Sequence, residues 1–214
     1  MRRIALAGVV VMLGFGGAAY AQTAAETGYV QGLAQSAFGN VTSQSFGIEA
    51  GFTVAPQIQI FGEFGSVGDV ATASTGAAAQ QIAGFLSQTQ SNVSYRVKQP
   101  VLFGAGGVKF LVPTSGSIRP YALAGFGIAE VTQDVTFLVN GSDVTGSLNT
   151  QYGVQLGTDL SGSFTKPMFT MGAGATWSGW QRLVIDLQYR FGRILAEDEG
   201  ININRLGVGV GVRF

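Results

Sequence analysis

Of the 214 residues only 11% are charged, against ~25% in an ordinary soluble domain, while 46% are apolar and 33 are glycine. Twelve basic residues balance twelve acidic ones and no basic run appears, which excludes a nucleic-acid-binding surface. The absence of cysteine and histidine excludes a disulfide framework, a lipid anchor on cysteine, zinc sites built on those ligands and any Ser-His triad.

The chain opens with Met1-Arg2-Arg3, continues through an uncharged, mostly apolar run from Ile4 to Ala18, and reaches Ala19-Tyr20-Ala21 before Gln22. That order is the charged, apolar and A-x-A pattern of a secretory signal. The run falls short of the ~20 apolar residues a spanning helix needs. The expected organisation is a signal peptide over 1–21, cleaved after Ala21 with Ala19 at the preceding small-residue position, and one domain over 22–214. Loss of Arg2 and Arg3 takes the formal charge from zero to −2.

Beyond that segment no apolar stretch is long enough to span a membrane as a helix, so an apolar chain must hide its apolar residues in alternation. Residues 28–38 place Gln31 and Gln35 on one face and Val30, Gly32 and Ala34 on the other. From Ser45 to Val54, Phe46, Ile48, Ala50 and Phe52 alternate with Ser45, Gly47, Glu49, Gly51 and Thr53. After the breaker pair Ala55-Pro56, Ile58, Ile60, Gly62 and Phe64 alternate with Gln57, Gln59, Phe61 and Glu63. Residues 101–112 and 121–131 are apolar on both faces, and their orientation rests on Lys109 and Glu130 pointing inward. Phe169 to Trp177, Arg182 to Phe191 and Arg205 to Phe214 alternate again. The last sets Leu206, Val208, Val210, Val212 and Phe214 against Arg205, Gly207, Gly209, Gly211 and Arg213. Glycines on the polar face suit a crowded lumen in which small residues leave room for large neighbours.

Eight strands result, an even number as a closed bacterial barrel requires. Short connections at Ala55-Pro56, Pro113–Pro120 and Ser178–Gln181 alternate with long ones over 67–92 and 133–162 and modest ones near 39–44 and 196–200. Short turns face the periplasm in such barrels and long loops the outside. In the first long loop, Ala78 to Gln90 is a candidate helix with Ala78, Ile82, Phe85 and Leu86 on one face, packing on its own loop or on the rim. Phe52, Phe110, Tyr121, Trp177 and Phe214 near the turns, and Phe38, Phe46, Phe64, Phe169, Tyr189 and Phe191 toward the loops, read as two interfacial girdles. The fold expected is an eight-stranded antiparallel up-and-down transmembrane β-barrel.

One constellation of charges stands out. A hairpin centred on Pro56 sets Glu49 opposite Glu63, both facing inward, and Asp186, Arg190 and Arg205 lie at similar depth across the lumen. Two close carboxylates suit acid–base chemistry, but like charges opposite one another need counter-ions. The arginines supply them, so a structural ion cluster is expected. The glycine clusters match no phosphate-binding pattern. Glu197-Asp198-Glu199 reads as a solvated acidic loop rather than a cation site shared with lipopolysaccharide.

The export signal, the eight alternating strands and the terminal Val210-Gly211-Val212-Arg213-Phe214 resemble the outer-membrane β-barrel family of OmpA and OmpX type. The resemblance implies a Gram-negative cell outer membrane, with lipid and lipopolysaccharide as surroundings and peptidoglycan binding not expected. It also implies an assembly signal in Val210, Val212 and Phe214, read by the barrel-assembly machinery. Enzymes of this architecture rely on a histidine, so no catalytic residue, cofactor or metal is expected here. The function expected is a monomeric, non-enzymatic barrel whose extracellular loops carry a structural or surface-interaction role. A pore of low conductance and a soluble exported ligand-binding barrel remain the alternatives. Intact-mass measurement of the membrane-fraction protein should show a chain beginning at Gln22; a mass that retains residues 1–21 would refute the cleavage site.

Overall fold

The period-two pattern folds as antiparallel strands because each strand can then send one residue set to water-excluded packing and the other to the opposite face. A computed structural model describes residues 28–157, 160–180, 182–196 and 200–214. Both the Ala19 and Ala21 cleavage pattern and Glu197-Asp198-Glu199 lie outside the described residues. The strands are β1 (Gly28–Gly39), β2 (Ser43–Ala55), β3 (Ile58–Val67), β4 (Val93–Lys98), β5 (Val101–Leu111), β6 (Ile118–Val139), β7 (Ser142–Asp143), β8 (Ser161–Trp177), β9 (Leu183–Ile194) and β10 (Ile201–Arg213). Helix α1 (Ala73–Leu86) precedes β4, and the short α2 (Leu148–Tyr152) follows β7.

Eight of these strands close a ring in the order β1-β2-β3-β5-β6-β8-β9-β10. The first and last strands form the seam, from Tyr29 opposite Arg213 to Gly39 opposite Ile203. No helix among the described residues is long and apolar enough to cross a membrane. Outward positions are apolar: Phe46, Ile48, Phe64, Ile128, Leu187, Val208 and Val210 are all exposed on the outer face. Phe52 meets Phe214 near the turn end at 6.5 Å, while Phe38 meets Tyr189 and Phe169 meets Phe191 toward the loop end at 6.4 and 5.9 Å.

Several details differ from the sequence reading. Lys109 is buried in the lumen, but Glu130 points outward. The turn over residues 112–117 sets Lys109 opposite Leu123, so the odd-numbered residues of both strands face in and Glu130 faces out. At that level the outer face carries Thr132, Thr165 and Ser163 as well, a polar band above the apolar one, where an outward charge stays hydrated. The same parity turns Tyr121 into the lumen, 3% exposed, so it belongs to no girdle. Pro120 lies within β6 rather than in the turn, and its carbonyl accepts from the Val112 amide at 2.8 Å.

The loop end is also more structured than alternation alone implies. β6 runs on to Val139 and β8 begins at Ser161, so the two strands rise beyond the ring. β4 pairs with the upper part of β6, and Asn140-Gly141, both at positive φ (52° and 80°), make the two-residue turn into β7. Helix α1 starts earlier than expected because Thr72 caps it, its side-chain oxygen accepting from the Thr75 amide at 3.3 Å. Its buried stripe is Thr75, Ala79, Ala83 and Leu86, with Phe85 turned out. Small residues on that stripe let the helix lie close on the sheet, and Ala78 and Ile82 flank the contact.

These faces make a measurable prediction. Val208→Arg, on the outer face near the middle of β10, should cost about 2–4 kcal/mol in a bilayer refolding titration. Ile185→Cys, Val208→Cys and Val210→Cys should react with a lipid-phase probe and resist aqueous reagents. Aqueous labelling of these three, with lipid-phase labelling at residues 207, 209 and 211, would invert the barrel.

Candidate functional site

The lumen is stratified. At its centre three carboxylates face three cations, so the layer sums to zero charge. Glu49 and Glu63 stand directly opposite on β2 and β3. Arg190 on β9 bridges them, through Nη2 to Glu49 and through Nη1 to Glu63 Oε2 at 2.6 Å. Arg205 on β10 donates to Glu63 Oε1 at 2.7 Å, and its guanidinium lies 4.4 Å from the centre of the Phe103 ring. The structure thus brings Glu49, Glu63, Arg190 and Arg205 into one network. Asp186 joins it by another route, through Lys109 rather than through the arginines.

Lys109 on β5 donates to Glu49 Oε1 at 2.8 Å and lies 4.0 Å from Asp186 Oδ2, between the Tyr29 and Tyr121 rings at 4.8 and 4.4 Å. Tyr29 donates to Glu49 at 2.7 Å, Tyr121 to Asp186 at 2.8 Å, and Gln31 to Glu49 and Asp186 at 2.9 and 3.1 Å. Gln188 accepts from Arg190 Nε at 2.7 Å. A carboxylate offers about four acceptor sites, and Glu49 fills them with Lys109, Arg190, Tyr29 and Gln31. Residues of β1, β2, β3, β5, β6, β9 and β10 therefore meet in one polar layer.

Sequence reasoning missed Lys109, Tyr29, Gln31, Tyr121 and Gln188 as members. A signal existed for Tyr29 and Gln31, which share the odd-numbered face of β1. None existed for Tyr121, whose orientation depends on the turn before it. The lumen glycines make this packing possible. Gly51 lies opposite Tyr29 and Gly174 opposite Tyr121, and a Cβ on either would come within 2.5 Å of its tyrosine.

Above the charged layer the lumen is filled by an apolar plug that includes Val67, Val101, Phe103, Val131, Met168 and Ile194. Above the plug, Gln99 ties the rim together: its side chain accepts from the Thr72 amide at 2.8 Å, donates to Thr75 Oγ1 at 2.9 Å and meets Gln133. Over this rim α1, the upper parts of β4 and β6, and α2 form a platform with its own core of Ala79, Ala83, Leu86, Val135, Phe137, Leu148 and Leu160. At its edge, the Thr145 hydroxyl and amide hold the Asp143 carboxyl below its ordinary range. At the turn end the lumen opens into a vestibule lined by Tyr29, Gln59, Lys109, Arg119, Thr176 and Arg213, among others.

Comparison with known proteins decides the class. Residues 7–214 match the family model of the outer membrane protein beta-barrel domain. The chain belongs to that family. The outer-membrane barrel also resembles solved structures. Neisserial surface protein A is 14% identical, with 87% of this chain and 97% of that chain covered and a TM-score of 0.54. A major outer membrane protein from Thermus thermophilus is 8% identical, with 88% and 98% covered and a TM-score of 0.52. The N-terminal β-barrel domain of Pseudomonas aeruginosa OprF is 15% identical, with 87% and 97% covered and a TM-score of 0.47. At these identities the likeness is one of fold. No curated protein matches the sequence. The protein is an integral outer-membrane barrel, its apolar outer face in lipid.

Removing one partner of a buried ion pair leaves an uncompensated charge. Lys109→Met and Glu49→Gln should each lower refolding stability by about 3–5 kcal/mol. Asp186→Asn should act through Lys109, so combining it with Lys109→Met should cost less than the two single losses added. Full additivity in urea titrations would show that the two groups do not interact.

Proposed function

We propose that this barrel is a non-enzymatic, monomeric surface protein whose extracellular platform makes contacts with a partner outside the cell. The single observation that carries the reading is the platform itself: the long loops hold a buried apolar core and are bonded to the rim through Gln99 and Thr72. Loops that served only as connections would need no core, whereas binding residues are commonly held on loops that a rigid scaffold positions. The charged layer acts as a structural element, since all three carboxylates face a cation and Glu49 has its acceptor sites filled. A pore is the weaker reading, because the apolar plug and the charged layer occupy the cross-section of an eight-stranded barrel in succession.

In this reading residues 1–21 direct export, and the outward face at the end of β10, Val210 and Val212 with Phe214 just beyond, is the assembly signal. Deleting Phe214 should slow insertion and leave unfolded protein in the periplasm, seen as loss of heat-modifiable gel migration; normal migration and yield would refute it. Shortening the loops between residues 70 and 98 and between 134 and 161 should leave the barrel folded and heat-modifiable but remove cell–cell aggregation and adhesion to protein-coated surfaces. Equal adhesion by both strains would overturn the surface role.

A further inference from the structure

The vestibule at the turn end differs in charge from the rest of the lumen. Its cavity measures about 40 Å³. One water needs ~10–15 Å³ of such space, so there is room for a few waters or one small polyatomic ion. Lys109 lines it on the side of the charged layer, and Arg119 and Arg213 line it nearer the strand ends. Among the described residues no acidic side chain lines it. The charges divide along the barrel in the same sense. Between the charged layer and the turns, the described charged side chains are Arg119, Arg182 and Arg213, whereas Asp69, Glu130, Asp134 and Asp143 all lie toward the loops.

Two of the lining cations have donors to spare. A lysine ammonium carries three N–H donors. Lys109 spends one on Glu49 Oε1 at 2.8 Å, and Asp186 Oδ2 at 4.0 Å is too far for a hydrogen bond. Lys109 is only 1% exposed, so its other donors face the two tyrosine rings and the vestibule. The Arg119 carbonyl accepts from Thr176 Oγ1 at 3.4 Å, but among the described residues its guanidinium has no hydrogen-bond or ion-pair partner. Arg213 is anchored at the mouth, where its Nη2 donates to the Trp180 carbonyl at 3.2 Å. An arginine at a strand end is ordinarily solvated by itself; this one shares a cavity with a buried ammonium. Low-dielectric walls focus the field of such a cluster into the space between its members.

We infer that the vestibule binds a small tetrahedral oxyanion, of the phosphate or sulfate class, that enters from the side the turns face. A guanidinium offers parallel N–H donors that match two oxygens of one anion, and an ammonium adds a point contact. That donor set favours an oxyanion over a halide. Lys109, Arg119 and Arg213 lie on the inward faces of β5, β6 and β10, so the strand wall stands between them and lipid headgroups. The ligand is therefore a free solute. The charged layer and the apolar plug close the lumen above it, so the site holds the anion and does not pass it on. The inference concerns the end of the barrel opposite the platform and is independent of the surface role.

The test uses the full barrel in phosphatidylcholine nanodiscs, with inorganic phosphate or sulfate replacing chloride at constant ionic strength. The two tryptophans, Trp177 and Trp180, both lie at the turn end, so their fluorescence reports on the site. Either oxyanion should change it saturably, with half-saturation at about 1 mM or below. Arg119→Gln should weaken phosphate binding at least about tenfold with heat-modifiable migration unchanged. Arg119→Lys should recover part of that loss, because it keeps the charge without the fork. Arg96→Gln, at the loop end, should bind phosphate as the wild type does.

No saturable change against chloride, or wild-type binding by a folded Arg119→Gln variant, would overturn the inference. So would an equal loss in Arg96→Gln. Amide chemical shifts of the unaltered barrel give a readout independent of variant folding. Those of Tyr29, Lys109, Arg119 and Thr176 should move with phosphate while those of α1 and β4 stay in place. Shifts confined to α1 and β4 would place the anion elsewhere and refute the vestibule site.

Discussion

Lipid offers no hydrogen-bond partner to a peptide group, so every backbone amide at membrane depth must be satisfied within the protein. The seam between β1 and β10 answers that constraint, because it removes the open edges that a sheet of eight strands would otherwise present to hydrocarbon. Closure then dictates the rest. It turns one residue set inward, crowds it, and makes the volume and charge of each inward side chain depend on those across the lumen. The outward set is left with a simpler requirement, to be apolar and, near the two interfaces, aromatic.

The charged layer is best understood as a consequence of that crowding. Glu49 and Glu63 are neighbours by register, and without Arg190 between them two buried like charges would destabilise the hairpin. Each added group then recruits another: Lys109 serves Glu49 and Asp186, and the two tyrosines lie over Lys109 while donating to those same carboxylates. Gly51 and Gly174 are part of the same arrangement, because the tyrosine rings occupy the space where side chains would stand. Buried ion networks add little net stability compared with apolar packing. What this one adds is register: a slip of one residue in a contributing strand would carry its charged groups to the lipid face.

Above the membrane the constraint relaxes, and the chain departs from the ring. Water can satisfy an open edge there, which is why, among the described residues, β4 pairs with β6 alone, while the ring strands have two neighbours. The platform compensates with a small apolar core and a rim of side-chain bonds around Gln99. A barrel closed by lipid thus carries a sheet that remains open to water.

The residues that alternate cleanly were legible without a structure. The outward faces of β2, β3, β9 and β10 and the opposition of Glu49 and Glu63 follow from a period of two and one tight turn, both local properties. The orientation of β5 and β6 was not, because both faces are apolar and only the length of the turn between them decides that Glu130 faces out and Tyr121 in. The platform was partly hidden for a similar reason. Asn140-Gly141 marks a hairpin turn and Thr72 a helix start, yet neither shows which sheet the helix will cover or that β4 will lack a second neighbour. Local sequence thus determined the barrel, its faces and its membrane; the tertiary structure alone decided which charges meet in the lumen and which strand edge stays open, because both depend on pairing between segments far apart in the chain.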